Sequence, residues 1–328
     1  MDRRELFVSA AAGAVGLALD PFGRVAHASG GTPSALVTAD LESHVVLLNL
    51  RGGRIVSRFE TAPGPRSIEG IGVNAAIVGH TEIGVVSILE LERGLRLRAE
   101  LEGFEAPRYA AVHPRRAYAY VSDSAREEVV VIHPGDARVL WRARVPGPAR
   151  HISMSADGRT VWTALGTKAA RIAVLDASDP RRPKLVRTFA PPFLAHDVVF
   201  APDGRTVWVT SGEERRIALY GAERSPARIL DAGAPPQHVT FARDKAFVAS
   251  GDDGTVRRHR LNGRLVREAR VPVGSYNIAF GFERLVTPSL GRGTIALLDG
   301  TGQVAWVRTV ARAAHDACVL YGPLGGSS

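Results

Sequence analysis

The stretch His196-Asp197-Val198-Val199-Phe200-Ala201-Pro202-Asp203-Gly204-Arg205-Thr206-Val207-Trp208-Val209-Thr210 decides how this chain is read. Its middle is a turn: Pro202 presets the backbone, and Gly204 supplies a positive-φ position that other residues resist. Beyond the turn, Val207 and Val209 alternate with Trp208 and Thr210, the period-two pattern of a strand rich in β-branched and aromatic residues. The stretch is therefore expected to be two short strands joined by a tight turn.

The chain repeats this unit. Equivalent strand starts are Pro65-Arg66-Ser67-Ile68, Pro107-Arg108-Tyr109-Ala110, Ala149-Arg150-His151-Ile152, Ala195-His196-Asp197-Val198, Pro236-Gln237-His238-Val239, Ser275-Tyr276-Asn277-Ile278 and Ala314-His315-Asp316-Ala317. Their second residues are separated by 42, 42, 46, 41, 39 and 39 positions. That spacing fits propeller blades of four antiparallel strands, which take about 40–45 residues each. Only one strand follows the start at His315, whereas the segments Ala35-Leu36-Val37-Thr38, His44 to Leu48 and Arg54 to Phe59 read as three strands lacking an inner partner. The expected fold is all-β: a seven-bladed β-propeller over residues 34–322, closed when the C-terminal strand joins the three N-terminal ones. Closure of this kind removes open sheet edges.

The turn and the strand after it carry a resemblance. Ala201-Pro202-Asp203-Gly204-Arg205-Thr206-Val207-Trp208-Val209-Thr210, echoed by Ser155-Ala156-Asp157-Gly158-Arg159-Thr160-Val161-Trp162-Thr163, resembles the YVTN-type repeat of YncE-like β-propellers. The third repeat, from Val112 to Ser122, keeps the proline and loses the glycine. The resemblance implies the propeller fold. It implies little about function, because propellers host binding proteins, hydrolases, lyases and dehydrogenases alike.

The ends are expected to lie outside the ring. Arg3-Arg4 precedes an apolar run from Val8 to Leu19, too short for a stable membrane span, and Ala26-His27-Ala28 offers a small-x-small cleavage pattern. Residues 1–28 resemble a twin-arginine (Tat) signal peptide, which implies export to the periplasm, the cell wall or the medium. Residues 323–328 are expected to be a flexible tail. With no further long apolar run, the mature chain is expected to have no transmembrane segment and to be a soluble monomer. The single cysteine, Cys318, excludes an internal disulfide, and a 45% hydrophobic composition is enough for a core. The net charge of +9 is almost wholly arginine, scattered through every repeat, with only Lys168, Lys184 and Lys245 as lysines. A scattered pattern is no phosphate-tracking stripe, so nucleic acid is not expected as a partner.

Alternation along the inner strands assigns their faces. Ile68, Ala110, Ile152, Val198, Val239, Ile278 and Ala317 should pack between blades. Their neighbours Ser67, Tyr109, His151, Asp197, His238, Asn277 and Asp316 should face the central channel. One residue earlier, Arg66, Arg108, Arg150, His196, Gln237, Tyr276 and His315 should ring its mouth. Two uses of that mouth follow. Arg66, Arg108, Arg150, His196, Tyr276 and His315 suit a small anionic ligand or a protein partner, because guanidinium groups pair with carboxylate and phosphate through parallel N–H donors. His151, Asp197, His238 and Asp316 suit a divalent metal, which would admit lyase or hydrolase chemistry. The first use makes the protein a binding or scaffold module without a cofactor; the second makes it an enzyme. The chain has no C-x-x-C-H haem motif, no G-x-S-x-G elbow and no glycine-rich phosphate loop opening a helix.

Overall fold

The computed structural model describes residues 31–115, 117–221 and 225–322. The segment expected to be a signal peptide and the tail from 323 lie outside these residues. Within them the chain forms seven four-stranded antiparallel sheets, a seven-bladed β-propeller. Blades 2 to 7 each take four consecutive strands, beginning with inner strands Pro65–Gly70, Pro107–Val112, Ala149–Met154, Val198–Phe200, Val239–Ala242 and Ala279–Gly281. Blade 1 is composite: the C-terminal strand Ala317–Gly322 is its inner strand and pairs with Thr32–Ala39, followed by His44–Asn49 and Arg54–Glu60. The ring closes as the orphan strands at the two ends of the sequence require.

The opening stretch forms the expected hairpin. Val198 pairs with Val209 and Phe200 with Val207. Gly204 sits at φ +67°, and the Asp203 carboxylate accepts the backbone N–H groups of Arg205 and Thr206 at 2.9 and 2.8 Å. Trp208, Val207 and Val209, on the second strand, are buried.

Alternation places apolar side chains on both faces of every blade, and neighbouring blades bury them against each other. The core is accordingly seven clusters, one at each blade–blade interface. The cluster joining blades 7 and 1 combines Val286, Ile295 and Leu297 with Ala35, Val37, Val46 and Val319. No blade has a core of its own, so each is stable only between its neighbours. Blade 6 buries polar groups within its third strand: Arg257 pairs with Glu268, and His259 Nδ1 lies 3.0 Å from the Gly263 carbonyl.

The inner strands depart from ideal pairing at their mouth ends. Register shifts fall between Pro65 and Ser67, Pro107 and Ala110, and Ala149 and Ile152. In blades 5, 6 and 7 the regular strand starts only at Val198, Val239 and Ala279. Such irregularities re-aim side chains where pairing stops. Here they fall on the residues that surround the mouth. Among the described residues, no helix is long and apolar enough to cross a membrane.

Candidate functional site

Two cavities meet on the propeller axis. The channel, of about 510 Å³, is lined by Ser67, Tyr109, His151, Asp197, His238, Asn277 and Asp316, the residues that alternation sends inward. The mouth, of about 430 Å³, is lined by Arg66, Arg150, Lys168, His196, Tyr276 and His315 among others. Tyr109, His238 and Asn277 line both and mark the boundary.

At that boundary three histidines from consecutive blades converge. One ligand nitrogen from each of His151, His196 and His238 lies within 4.8 Å of the other two. The ring centroids are 4.5 Å apart for His151 and His196, 4.8 Å for His151 and His238, and 5.3 Å for His196 and His238. Tyr109 stacks on His151 at 4.5 Å, fixing the plane of that ring. His151 and His238 were expected in the channel, and His196 in the ring above them. His196 lines the mouth as expected, and its ring meets the other two across the boundary.

The electrostatics favour neutral imidazoles. Burial, reinforced by His196, His238 and Arg150, holds His151 well below the ordinary histidine value. Burial and the neighbouring His238 push His196 down to about 3. Both rings are therefore neutral at physiological pH, each with one nitrogen lone pair free of a proton. Neither ring nitrogen of His151 has a hydrogen-bond partner of normal geometry, although both are buried. A buried polar atom left unpartnered costs about 1–3 kcal/mol, and this ring carries two. His238 Nδ1 lies 3.5 Å from the Asp197 carboxylate, which orients the ring and directs Nε2 to the opposite side. A carboxylate behind a ligating histidine is the usual outer support of a metal centre.

The two aspartates expected beside these histidines serve the scaffold. Asp197 accepts the backbone N–H of Val198 at 2.9 Å and, from the next blade, that of Val239 at 3.2 Å. Asp316 does the same with Ala317 at 2.8 Å and Ile68 at 3.0 Å. Burial raises the Asp316 carboxyl, and its backbone bonds only partly offset this. These side chains staple blade 5 to blade 6 and blade 1 to blade 2. They do not gather with the histidines as a ligand set.

The remaining mouth residues divide. His315 pairs through Nδ1 with Asp40 at 2.9 Å, and Asp40 stands just before the strand His44–Asn49. Burial opposes ionisation of Asp40, yet the hydrogen bond and charge of His315 hold its carboxyl below the usual value. Tyr276 donates its hydroxyl to Asp252 at 3.0 Å, and Gln237 donates to the same carboxylate at 3.0 Å. Arg66, Arg108 and Arg150 stand on successive blades; Arg66 and Arg150 line the mouth as expected, whereas Arg108 lies on the channel cavity instead. Burial and the charges of Arg150 and Arg66 lower Arg108 below the ordinary arginine value. The role of Asp40 was not visible in the sequence, because an acidic residue in a short connection carries no pattern. Cys318 is buried in the channel wall, and burial raises its thiol well above the usual value.

Comparison with known proteins supports the fold and little more. No family model matches the chain. Over 148 residues, 42% of this chain, it is 26% identical to a 6-phosphogluconolactonase of Cronobacter sakazakii, of which the match covers 44%. A protein of unknown function from Desulfotomaculum acetoxidans superposes with a TM-score of 0.75 at 13% identity, covering 88% of this chain and 98% of that one. The apo form of AztD from Citrobacter koseri superposes at 0.68 with 12% identity, over 89% of this chain and 99% of that one. At such identities, the structural likeness is one of propeller architecture.

Proposed function

We propose that this propeller is an exported, monomeric binding module that holds one divalent transition-metal ion at the mouth of its channel. The ligands are His151, His196 and His238. The observation that carries the reading is the His151 ring, buried with both nitrogens unpartnered and faced by two further imidazoles. Three imidazole nitrogens suit zinc, copper, nickel or cobalt; magnesium and calcium prefer oxygen. Tetrahedral bonds of about 2.0–2.1 Å place ligand nitrogens roughly 3.3 Å apart, within reach of small side-chain rotations from the arrangement seen. Tyr109 and Asp197 hold two of the rings in place. The twin arginines and the cleavage pattern before the propeller support export.

Equilibrium dialysis of the purified mature chain against zinc tests this. One zinc per chain is expected. Because His151 and His196 need no deprotonation to bind, affinity should fall by no more than about tenfold between pH 7.5 and 5.5. Less than half an equivalent of zinc, or a steep loss across that range, would contradict the reading.

A second reading makes the same centre catalytic, in a hydrolase or lyase. The similarity to a lactonase favours it, as does an open mouth above a three-ligand centre, which leaves a coordination position for substrate. The committed hydrogen bonds of Asp197 and Asp316 weigh against their service as acid and base.

A further inference from the structure

The mouth holds a second group of side chains that the metal does not use. Arg66, Arg108 and Arg150 come from the mouth ends of the inner strands of blades 2, 3 and 4, each at a register shift. None of the three forms an ion pair with a carboxylate among the described residues. Arg108 donates Nε to Ser124 Oγ at 3.1 Å, which leaves its terminal nitrogens unused by that bond. Arg150 lies 5.9 Å from the Tyr109 ring centre, and its Nε is buried without a partner.

The nearby carboxylates are already engaged. Asp40 pairs with His315, Asp252 accepts from Gln237 and Tyr276, and Glu213 pairs with Lys168. Asp123 accepts the backbone N–H groups of Glu105 and Ala106. Elsewhere in the propeller, arginines in comparable surroundings do have acidic partners: Arg142 meets Glu128 at 3.2 Å and Arg257 meets Glu268 at 2.5 Å. Asp40 and Asp123 act on Arg66 and Arg108 through charge, but no carboxylate pairs directly with any of the three guanidinium groups among the described residues, and an anion bridging them would offset their mutual repulsion.

We infer that Arg66 and Arg150, with Arg108 from the adjoining channel wall, form a binding site for a dianionic phosphoryl group, located at the mouth beside the three histidines and independent of them. Arg66 and Arg150 line the mouth and Arg108 the adjoining channel wall, near enough for their charges to act on it, and guanidinium forks on several sides suit a tetrahedral oxyanion, whose oxygens accept from several directions. The group is either free phosphate or the head of a phosphate monoester. The mouth of about 430 Å³ has room for the larger ligand.

The test is calorimetric titration of the chelator-treated mature protein, at low ionic strength, with inorganic phosphate and separately with glycerol 3-phosphate. Saturable binding of at least one probe at a single site is expected. Arg66→Gln and Arg150→Gln should each weaken it about tenfold or more. Lys184→Gln, on an outer strand, should leave it unchanged. Tighter binding of glycerol 3-phosphate identifies a monoester as the ligand, and equal or tighter binding of inorganic phosphate identifies free phosphate. His151→Ala should keep phosphate binding while losing zinc, so the two sites fail separately. No saturable binding of either probe would overturn the inference. So would equal weakening by the arginine and lysine variants.

Discussion

Deletion of residues 315–322 should abolish the cooperative thermal unfolding transition. The deleted strand supplies the whole inner edge of blade 1, in register with Thr32 to Val37. It also buries Ala317, Cys318, Val319 and Leu320 in the clusters shared with blades 7 and 2. Burial of such side chains contributes about 1–3 kcal/mol each, and loss of the Asp316 staple leaves the Ile68 N–H unpartnered. Together these losses are on the order of 10 kcal/mol, comparable with the entire stability of an ordinary domain. The ring is also opened, exposing the edge of Thr32–Ala39 to pairing with other chains. Circular dichroism melting and limited proteolysis check this. A truncated chain with a sharp transition within a few degrees of the full one would show that the ring does not depend on its closure.

Replacement of His151 by alanine should have the largest effect on metal binding, with little effect on the metal-free fold. The ring is buried, stacked on Tyr109 and unpartnered at both nitrogens, so its removal relieves a desolvation cost while it opens a cavity. Zinc affinity should drop by at least about 100-fold, since loss of mere outer-shell partners already costs 10–100-fold. Asp316→Ala should behave in the opposite way. It removes an acceptor of two backbone N–H groups and lowers the melting temperature, yet it touches none of the three histidines through a hydrogen bond. Competition with a chromogenic zinc chelator, run beside thermal melts of both variants, separates the two roles. Equal zinc affinity in His151→Ala and the unaltered protein would remove this residue from the centre.

The ring was legible in the sequence because each blade restates the same local physics. Turn residues such as Pro202-Asp203-Gly204 and alternating apolar strands recur at nearly constant spacing, and the unmatched strands at the two ends demand closure. The site was legible only in part. Alternation sends His151 and His238 into the channel correctly, although a register shift spans His151 and the regular strand of blade 6 begins just after His238. It misses the convergence of His196, which lines the mouth as alternation expects but lies within ring-contact distance of the two histidines below it. Three histidines at near-equivalent places in consecutive repeats were the available signal, obscured by a one-residue offset. Asp197 and Asp316 have the right chemistry for ligands, but the backbone N–H groups of the following blade claim them first. That competition depends on how blades abut, which a single sequence does not encode locally.

Zinc K-edge X-ray absorption of the zinc-loaded protein, recorded beside its His151→Ala variant, addresses the three-histidine centre most directly. A shell of three imidazole nitrogens at about 2.0–2.1 Å, lost or depleted in the variant, is the expected result. A shell of oxygen alone, or an imidazole shell identical in both proteins, would contradict it.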